Sequence, residues 1–178
     1  MTNTAIRFAT IALGACLTLG TLTVPVFAAG DSESAPPTCK KGEVYDKKEK
    51  KCIKQSGANI SDEDRADYAY ALAKEGRYEE ALAMLDTVKD QKNAEVLNYR
   101  GYATRKLGRT DEGISYYLQS VKLDPKYAKV REYLGEAYVI KGQVDLAKDQ
   151  LATIQSICGT GCEEYQDLHE AIEHPAKI

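Results

Sequence analysis

The residues best suited to chemistry gather at the end of the chain. Cys158, Cys162, His169 and His174 read C-x3-C-x6-H-x4-H, a mixed thiolate and imidazole set of the kind that holds zinc. A histidine seven residues beyond Cys162 on a helix, however, stands roughly 10 Å further along it. The pair also lacks the two-residue spacing and strand-to-helix setting of a redox-active dithiol. A structural disulfide, Cys158–Cys162, is therefore the expected state, closing a turn that Gly159 and Gly161 make tight. Cys39 and Cys52 form the other expected bond, Cys39–Cys52. Both pairings join cysteines near in sequence, so loop closure costs little. A metal-binding or redox accessory factor built on the C-terminal Cys/His cluster is the competing functional reading.

Little else in the chain suggests catalysis. There are two histidines, no G-x-S-x-G, no H-E-x-x-H and no glycine-rich phosphate loop. Carboxylates fall at helix starts and in i,i+4 charge patterns, where a solvated face explains them. No enzyme activity, metal or cofactor is expected. A net charge of −3 argues against non-specific nucleic-acid binding, which needs a dense basic footprint.

The elements that position these residues are announced by three glycines. Gly76, Gly108 and Gly142 are separated by 32 and 34 residues. Each is followed three positions on by an acidic residue (Glu79, Asp111, Asp145) and five positions on by a small residue (Ala81, Gly113, Ala147). A period of about 34 with this grammar marks stacked helix–turn–helix units, since one unit alone cannot bury its apolar face. Ser61 before Asp62-Glu63-Asp64 supplies a hydroxyl cap and negative charge at the positive end of a helix dipole. Asp124-Pro125 and Thr110-Asp111-Glu112 are read as further starts. Ala69, Gly101 and Gly135 are small where helices should cross. The stripes Tyr78, Ala81, Leu82, Leu85, Val88 and Val144, Ala147, Leu151, Ile154 recur at helical spacing. Tyr165, Leu168 and Ile172 predict a last, end-capping helix.

Laid over the whole unit, this phase resembles the tetratricopeptide repeat. The middle unit, Ala94 to Tyr127, carries Leu97, Gly101, Leu107-Gly108-Arg109, Tyr117, Ser120 and Leu123-Asp124-Pro125. The third carries Leu134-Gly135, Tyr138, Gly142, Ala147 and Leu151; the first carries Tyr68-Ala69, Leu72, Gly76 and Leu85. Gly113 stands where the family has alanine, a departure that weakens its helix by up to about 1 kcal/mol. The resemblance implies an all-α fold, an α-solenoid of three helix pairs (about 62–93, 94–127 and 128–157) in a right-handed partial superhelix. Residues 158–178 then supply the cysteine turn and the capping helix.

The resemblance also implies a protein–protein interaction or assembly module whose concave groove is lined by the first helix of each pair. Carried over by position, the groove takes Ala66 and Tyr70, then Asn98 and Tyr102 with Arg105 and Lys106, then Glu132 and Glu136. Tyrosines at one end, a basic middle and an acidic far end suit an extended partner segment of mixed charge. The two glutamates would repel a terminal carboxylate pair of the kind that chaperone-tail-binding members clamp. The competing reading is that three repeats only just make a groove and that these side chains are ordinary solvated surface.

Residues 1–28 read as a signal peptide. Arg7 is their only charge, an apolar run extends from Phe8 to Ala29, and Val26-Phe27-Ala28 places small residues where a signal peptidase cuts. The protein is thus expected to be exported, to the periplasm or outside the cell. A retained membrane span and lipid attachment at Cys16 in Leu13-Gly14-Ala15-Cys16 are the competing readings. Residues 29–60 read as a linker and a small disulfide-closed arm. Seven lysines and three acids lie between Cys39 and Lys54, with strand-like pieces at Glu43-Val44-Tyr45 and Cys52-Ile53. The lysines are read as a solvated charge run; contact with anionic lipid or wall polymer through this arm is the alternative. The expected partner is a protein or peptide, with no nucleic acid, and the expected state is a monomer.

Overall fold

The computed structural model describes residues 36–56 and 59–177. The expected signal peptide, its cleavage point and Cys16 lie outside the described residues. A two-stranded antiparallel hairpin, β1 (Glu43–Asp46) and β2 (Lys51–Lys54), precedes seven helices. These are α1 (Asp62–Lys74), α2 (Tyr78–Leu85), α3 (Ala94–Lys106), α4 (Thr110–Leu123), α5 (Ala128–Ile140), α6 (Val144–Cys158) and α7 (Glu163–Glu173), with a short 3-10 turn at Pro175–Lys177. Helices pair as α1 with α2, α3 with α4 and α5 with α6, and each pair packs on the next. The first helices of the pairs neighbour one another in the order α1, α3, α5, and α7 takes the following place. This is the α-solenoid of three pairs plus a capping helix.

Local chemistry explains the breaks. Gly76, Gly108 and Gly142 hold φ of +80°, +82° and +71° at the turn inside each pair, a left-handed conformation that costs glycine nothing. The Ser61 side chain accepts a hydrogen bond from the Asp64 amide and caps α1. The start expected at Asp124-Pro125 is displaced. Asp124 ends α4, and its carboxylate accepts from the Lys126 amide, so the dipeptide forms the turn and α5 begins only at Ala128. Proline disfavours the helical conformation in the residue before it, which makes Asp124 a stop for α4.

The core runs along the stack through Ala69, Leu72, Ala81, Leu85, Ala103, Tyr117, Val130, Leu134 and Ala137, all buried. A second cluster of Ile154, Leu168 and Ala171, with Leu151, Tyr165 and Ile172 around it, fastens α7. Gly101 and Gly113 let α3 and α4 approach closely. A Cβ on Gly113 would lie 2.9 Å from the Gly101 carbonyl oxygen and 3.0 Å from the Arg105 Cβ. The departure from alanine at Gly113 is therefore a packing requirement of this pair.

The arm is not a free appendage. Cys39 and Cys52 are joined by a disulfide, and the hairpin it closes lies against α1 and the start of α2. The Cys39 amide donates to the Tyr68 hydroxyl at 2.8 Å, and Arg77 Nη1 donates to the Cys39 carbonyl at 2.7 Å. Val44 is fully buried, and Lys47 meets Asp67 at 2.7 Å and Asp64 at 3.5 Å. Borrowed core is how so small a loop acquires one. The lysine run is accordingly split: Lys47 is engaged, while Lys40, Lys41, Lys48, Lys50, Lys51 and Lys54 are exposed.

Candidate functional site

The C-terminal cluster does not assemble as the four-ligand set. Cys158 and Cys162 are disulfide-bonded across the α6–α7 turn. The potential ligand atoms that do come together are those of Cys158, Cys162 and Glu164, within 4.8 Å of one another, and neither histidine is among them. His169 stacks on Tyr165 one turn earlier, and His174 faces Glu170 at 3.8 Å. The reason is the one helix geometry gives: α7 carries both imidazoles away along its axis.

The first helices of the pairs present a denser arrangement. α1 contributes Tyr70, α3 contributes Tyr99 and Tyr102, and α5 contributes Tyr133. Tyr70 stacks on Tyr99 with ring centroids 4.4 Å apart, meets Tyr102 edge-on at 5.9 Å, and shares a 2.6 Å hydrogen bond with the Tyr133 hydroxyl. Tyr102 and Tyr133 pack at 5.0 Å. Each ring lies on the helix row facing its neighbours, so three helices are stitched by one aromatic cluster. Burial pushes the Tyr102 phenol up to about 12, and raises Tyr99 and Tyr133 further, so all stay neutral donors.

Polar groups are threaded through this cluster. Arg105 is buried; its Nε donates to the Tyr117 hydroxyl at 3.3 Å and its Nη2 to Glu136 Oε2 at 2.5 Å. Burial works against its charge, and Tyr117 and Glu136 more than offset that, holding the guanidinium protonated. Asn98 Nδ2 donates to the Tyr127 hydroxyl at 3.1 Å. Three buried side-chain atoms have no partner among the described residues: Asn98 Oδ1, Arg105 Nη1 and Glu132 Oε2. Burial, then Glu136, pushes the Glu132 carboxyl up to about 8, and Lys129 only partly counters them.

The residues expected to line a groove are thus brought to one face, but at very different depths. Asn98, Tyr102, Arg105 and Glu132 are buried, Tyr70 and Glu136 are half-buried, and Lys106 is exposed. The expected acidic far end is corrected accordingly: Glu136 is neutralised by Arg105, and Glu132 is mostly protonated at neutral pH. Nor are the tyrosines confined to one end. The sequence reading missed Lys74, Tyr99 and Tyr133. Periodicity could have found them: Lys74 precedes Lys106 by the 32 residues that separate Gly76 from Gly108, and Tyr99 and Tyr133 stand 34 apart.

Comparison with known proteins agrees with this geometry. The family model described as Tetratricopeptide repeat matches residues 94–127, the middle pair and its closing turn. The second TPR domain of human RPAP3, solved in complex with an HSP70 peptide, is 26% identical with a TM-score of 0.53. The match covers 64% of this chain and 93% of that one. The middle helix pair of this chain is a tetratricopeptide repeat. A similar fold is seen in the type III secretion translocator chaperone SycD of Yersinia enterocolitica, at 20% identity and a TM-score of 0.55, over 65% of this chain and 86% of that one. A TPR repeat-containing thioredoxin of Arabidopsis thaliana, TTL4, is 28% identical over 118 residues, 64% of this chain. The chain here spans only 16% of that relative's length.

Proposed function

We propose that this protein is an exported interaction module that holds an extended segment of a partner protein on the face formed by α1, α3 and α5. The observation that carries this reading is the trio of buried, unpartnered atoms on that face, Asn98 Oδ1, Arg105 Nη1 and Glu132 Oε2. Each such atom costs about 1–3 kcal/mol while its hydrogen bond is unmade. An extended backbone offers alternating N–H donors and C=O acceptors, the two kinds of partner these atoms need. The peptide-bound RPAP3 domain, similar at 26% identity, supports the same class of ligand. The leader-like residues 1–28 and the paired cysteines support export.

A photo-cross-linking amino acid placed at Lys106, and separately at Leu118 on the outer side of α4, tests the assignment. Peptides selected from a random library should cross-link from position 106 and not from 118. Cross-links confined to position 118, which is 48% exposed, would move the binding surface to the second helices.

A second reading has its own observation: the docked hairpin leaves Lys40, Lys41, Lys48, Lys50, Lys51 and Lys54 exposed together. On that reading the hairpin touches anionic lipid or wall polymer. Salt-sensitive co-sedimentation with phosphatidylglycerol vesicles, abolished when these six lysines become glutamine, is the expected outcome. Equal sedimentation of both proteins sinks it.

A further inference from the structure

Three cations from two helices surround one phenol ring. Lys74 closes α1 and Lys106 closes α3, and their ammonium groups stand 5.7 Å and 5.9 Å from the centroid of Tyr102. The Arg105 guanidinium carbon is 5.7 Å from the same centroid, and Lys74 is also 5.8 Å from the ring of Tyr70. One carboxylate, Glu136, belongs to this group, and Arg105 holds it. Among the described residues, neither Lys74 nor Lys106 forms an ion pair. Three positive charges against one leave the surroundings of Tyr102 with an excess of two.

The rings of Tyr70 and Tyr102 supply part of the compensation, since a cation near an aromatic face gains about 0.5–1 kcal/mol at an exposed site. Mutual repulsion is left over. Burial disfavours the charged form of Lys106, Arg105 and Lys74 disfavour it further, and Glu136 acts in the opposite sense. An anion between the two lysines would reverse that balance. The floor for it is preformed, because Tyr102 is wedged between Tyr70 and Tyr133 and cannot swing aside. Beside it, Arg105 Nη1 is a buried donor with no acceptor among the described residues.

We propose that Lys74, Lys106 and Arg105, arranged around Tyr102, form an anion subsite that takes the side-chain carboxylate of an Asp or Glu in the bound partner segment. The subsite rests on the proposal that the α1–α3–α5 face binds an extended peptide. It adds a specificity to that face: an acidic residue in register with the ends of α1 and α3. The lysines are solvent-exposed, so a carboxylate can reach them without the buried cluster opening.

The test uses N-acetylated, C-amidated dodecapeptides selected from a random library against the disulfide-bonded protein, so that no terminal carboxylate competes. Selected peptides should share an Asp or Glu at one position, and its exchange for Asn or Gln should weaken binding about tenfold, as for a partly desolvated ion pair. The Lys74→Gln/Lys106→Gln protein should bind acidic and amide forms alike, with circular dichroism confirming an unchanged fold. In the unaltered protein, the titration of the Lys106 ammonium, followed by 13C NMR at Cε, should move to higher pH with the acidic peptide only. Equal affinity of the unaltered protein for acidic and amide peptides overturns the subsite and leaves the peptide-binding face standing. Failure to select any peptide removes the face, and the subsite with it.

Discussion

The hydroxyls of Tyr70 on α1 and Tyr133 on α5 share a hydrogen bond of 2.6 Å across 63 residues of chain. Repeat arrays are held mainly by nearest-neighbour contacts. This bond instead joins the first pair to the third over the top of α3, so it couples ends that stacking alone would couple only through the middle.

Tyr133→Phe keeps the ring and removes the bond. Thermal unfolding should show a loss of about 1 kcal/mol, with Tyr70→Phe costing a similar amount and the double variant little more than either. Strictly additive losses would show that the two hydroxyls do not interact in solution.

Gly113→Ala restores the residue usual for the family and improves helix propensity by up to about 1 kcal/mol. It should nevertheless destabilise the protein, by about 1–2 kcal/mol net, because the new Cβ meets backbone that cannot rotate away. The obstruction is the Gly101 carbonyl oxygen at 2.9 Å. Urea unfolding measures it; a midpoint at or above that of the unaltered protein refutes the packing argument.

Glu132 makes stability depend on pH. Its folded carboxyl titrates at about 8, against an ordinary 4.5, because burial disfavours the charge. A raised acid stabilises relative to its ionised form at low pH, and that contribution is lost as pH rises through the folded value. Between pH 4.5 and 8 the unfolded chain gives up a proton that the folded chain retains. Glu132→Gln should therefore match the unaltered protein near pH 4 and exceed it at pH 9 by up to about 4–5 kcal/mol. Parallel stability curves from pH 4 to 9 would place the raised group elsewhere.

Cys39→Ser/Cys52→Ser should unclasp the hairpin. Closing a loop of this size is worth about 3 kcal/mol in the chain-entropy model. Hydrogen exchange should show lost protection in β1, β2 and the first turns of α1, while α3 to α6 keep theirs. Undiminished hairpin protection would mean that Val44 and the Tyr68 and Arg77 contacts suffice without the crosslink.

The fold was readable because its signals are local. A left-handed turn demands glycine, a helix start demands a cap, and a hairpin strand alternates; Gly76, Ser61 and Val44 each sit where one such rule operates. The depth of the site residues was not readable. Positional logic groups Tyr70, Tyr102 and Glu136 on a face, but whether that face is open depends on side chains reaching across helices. Tyr133 fills the space, and its 34-residue offset from Tyr99 marks its phase in the repeat but not its depth. Gly113 misled for the same reason: its cost is written in helix propensity, its benefit in the backbone of α3. Asp124-Pro125 misled because a cap and a stop use the same residues, and only the turn that follows decides between them.

The docked hairpin and α7 have a consequence for growth. A stack of repeats has, at each end, a surface as ready for another helix pair as any internal one, and head-to-tail contacts that do not close propagate into filaments. Here the first end is covered by the hairpin, fixed through Cys39, Tyr68 and Arg77. At the other, α7 turns Leu168 and Ala171 inward and leaves Gln166, Asp167, His169 and Glu173 outward. The two covers work as lids: each hides, within the described residues, apolar surface at one end of the three helix pairs that would otherwise face water.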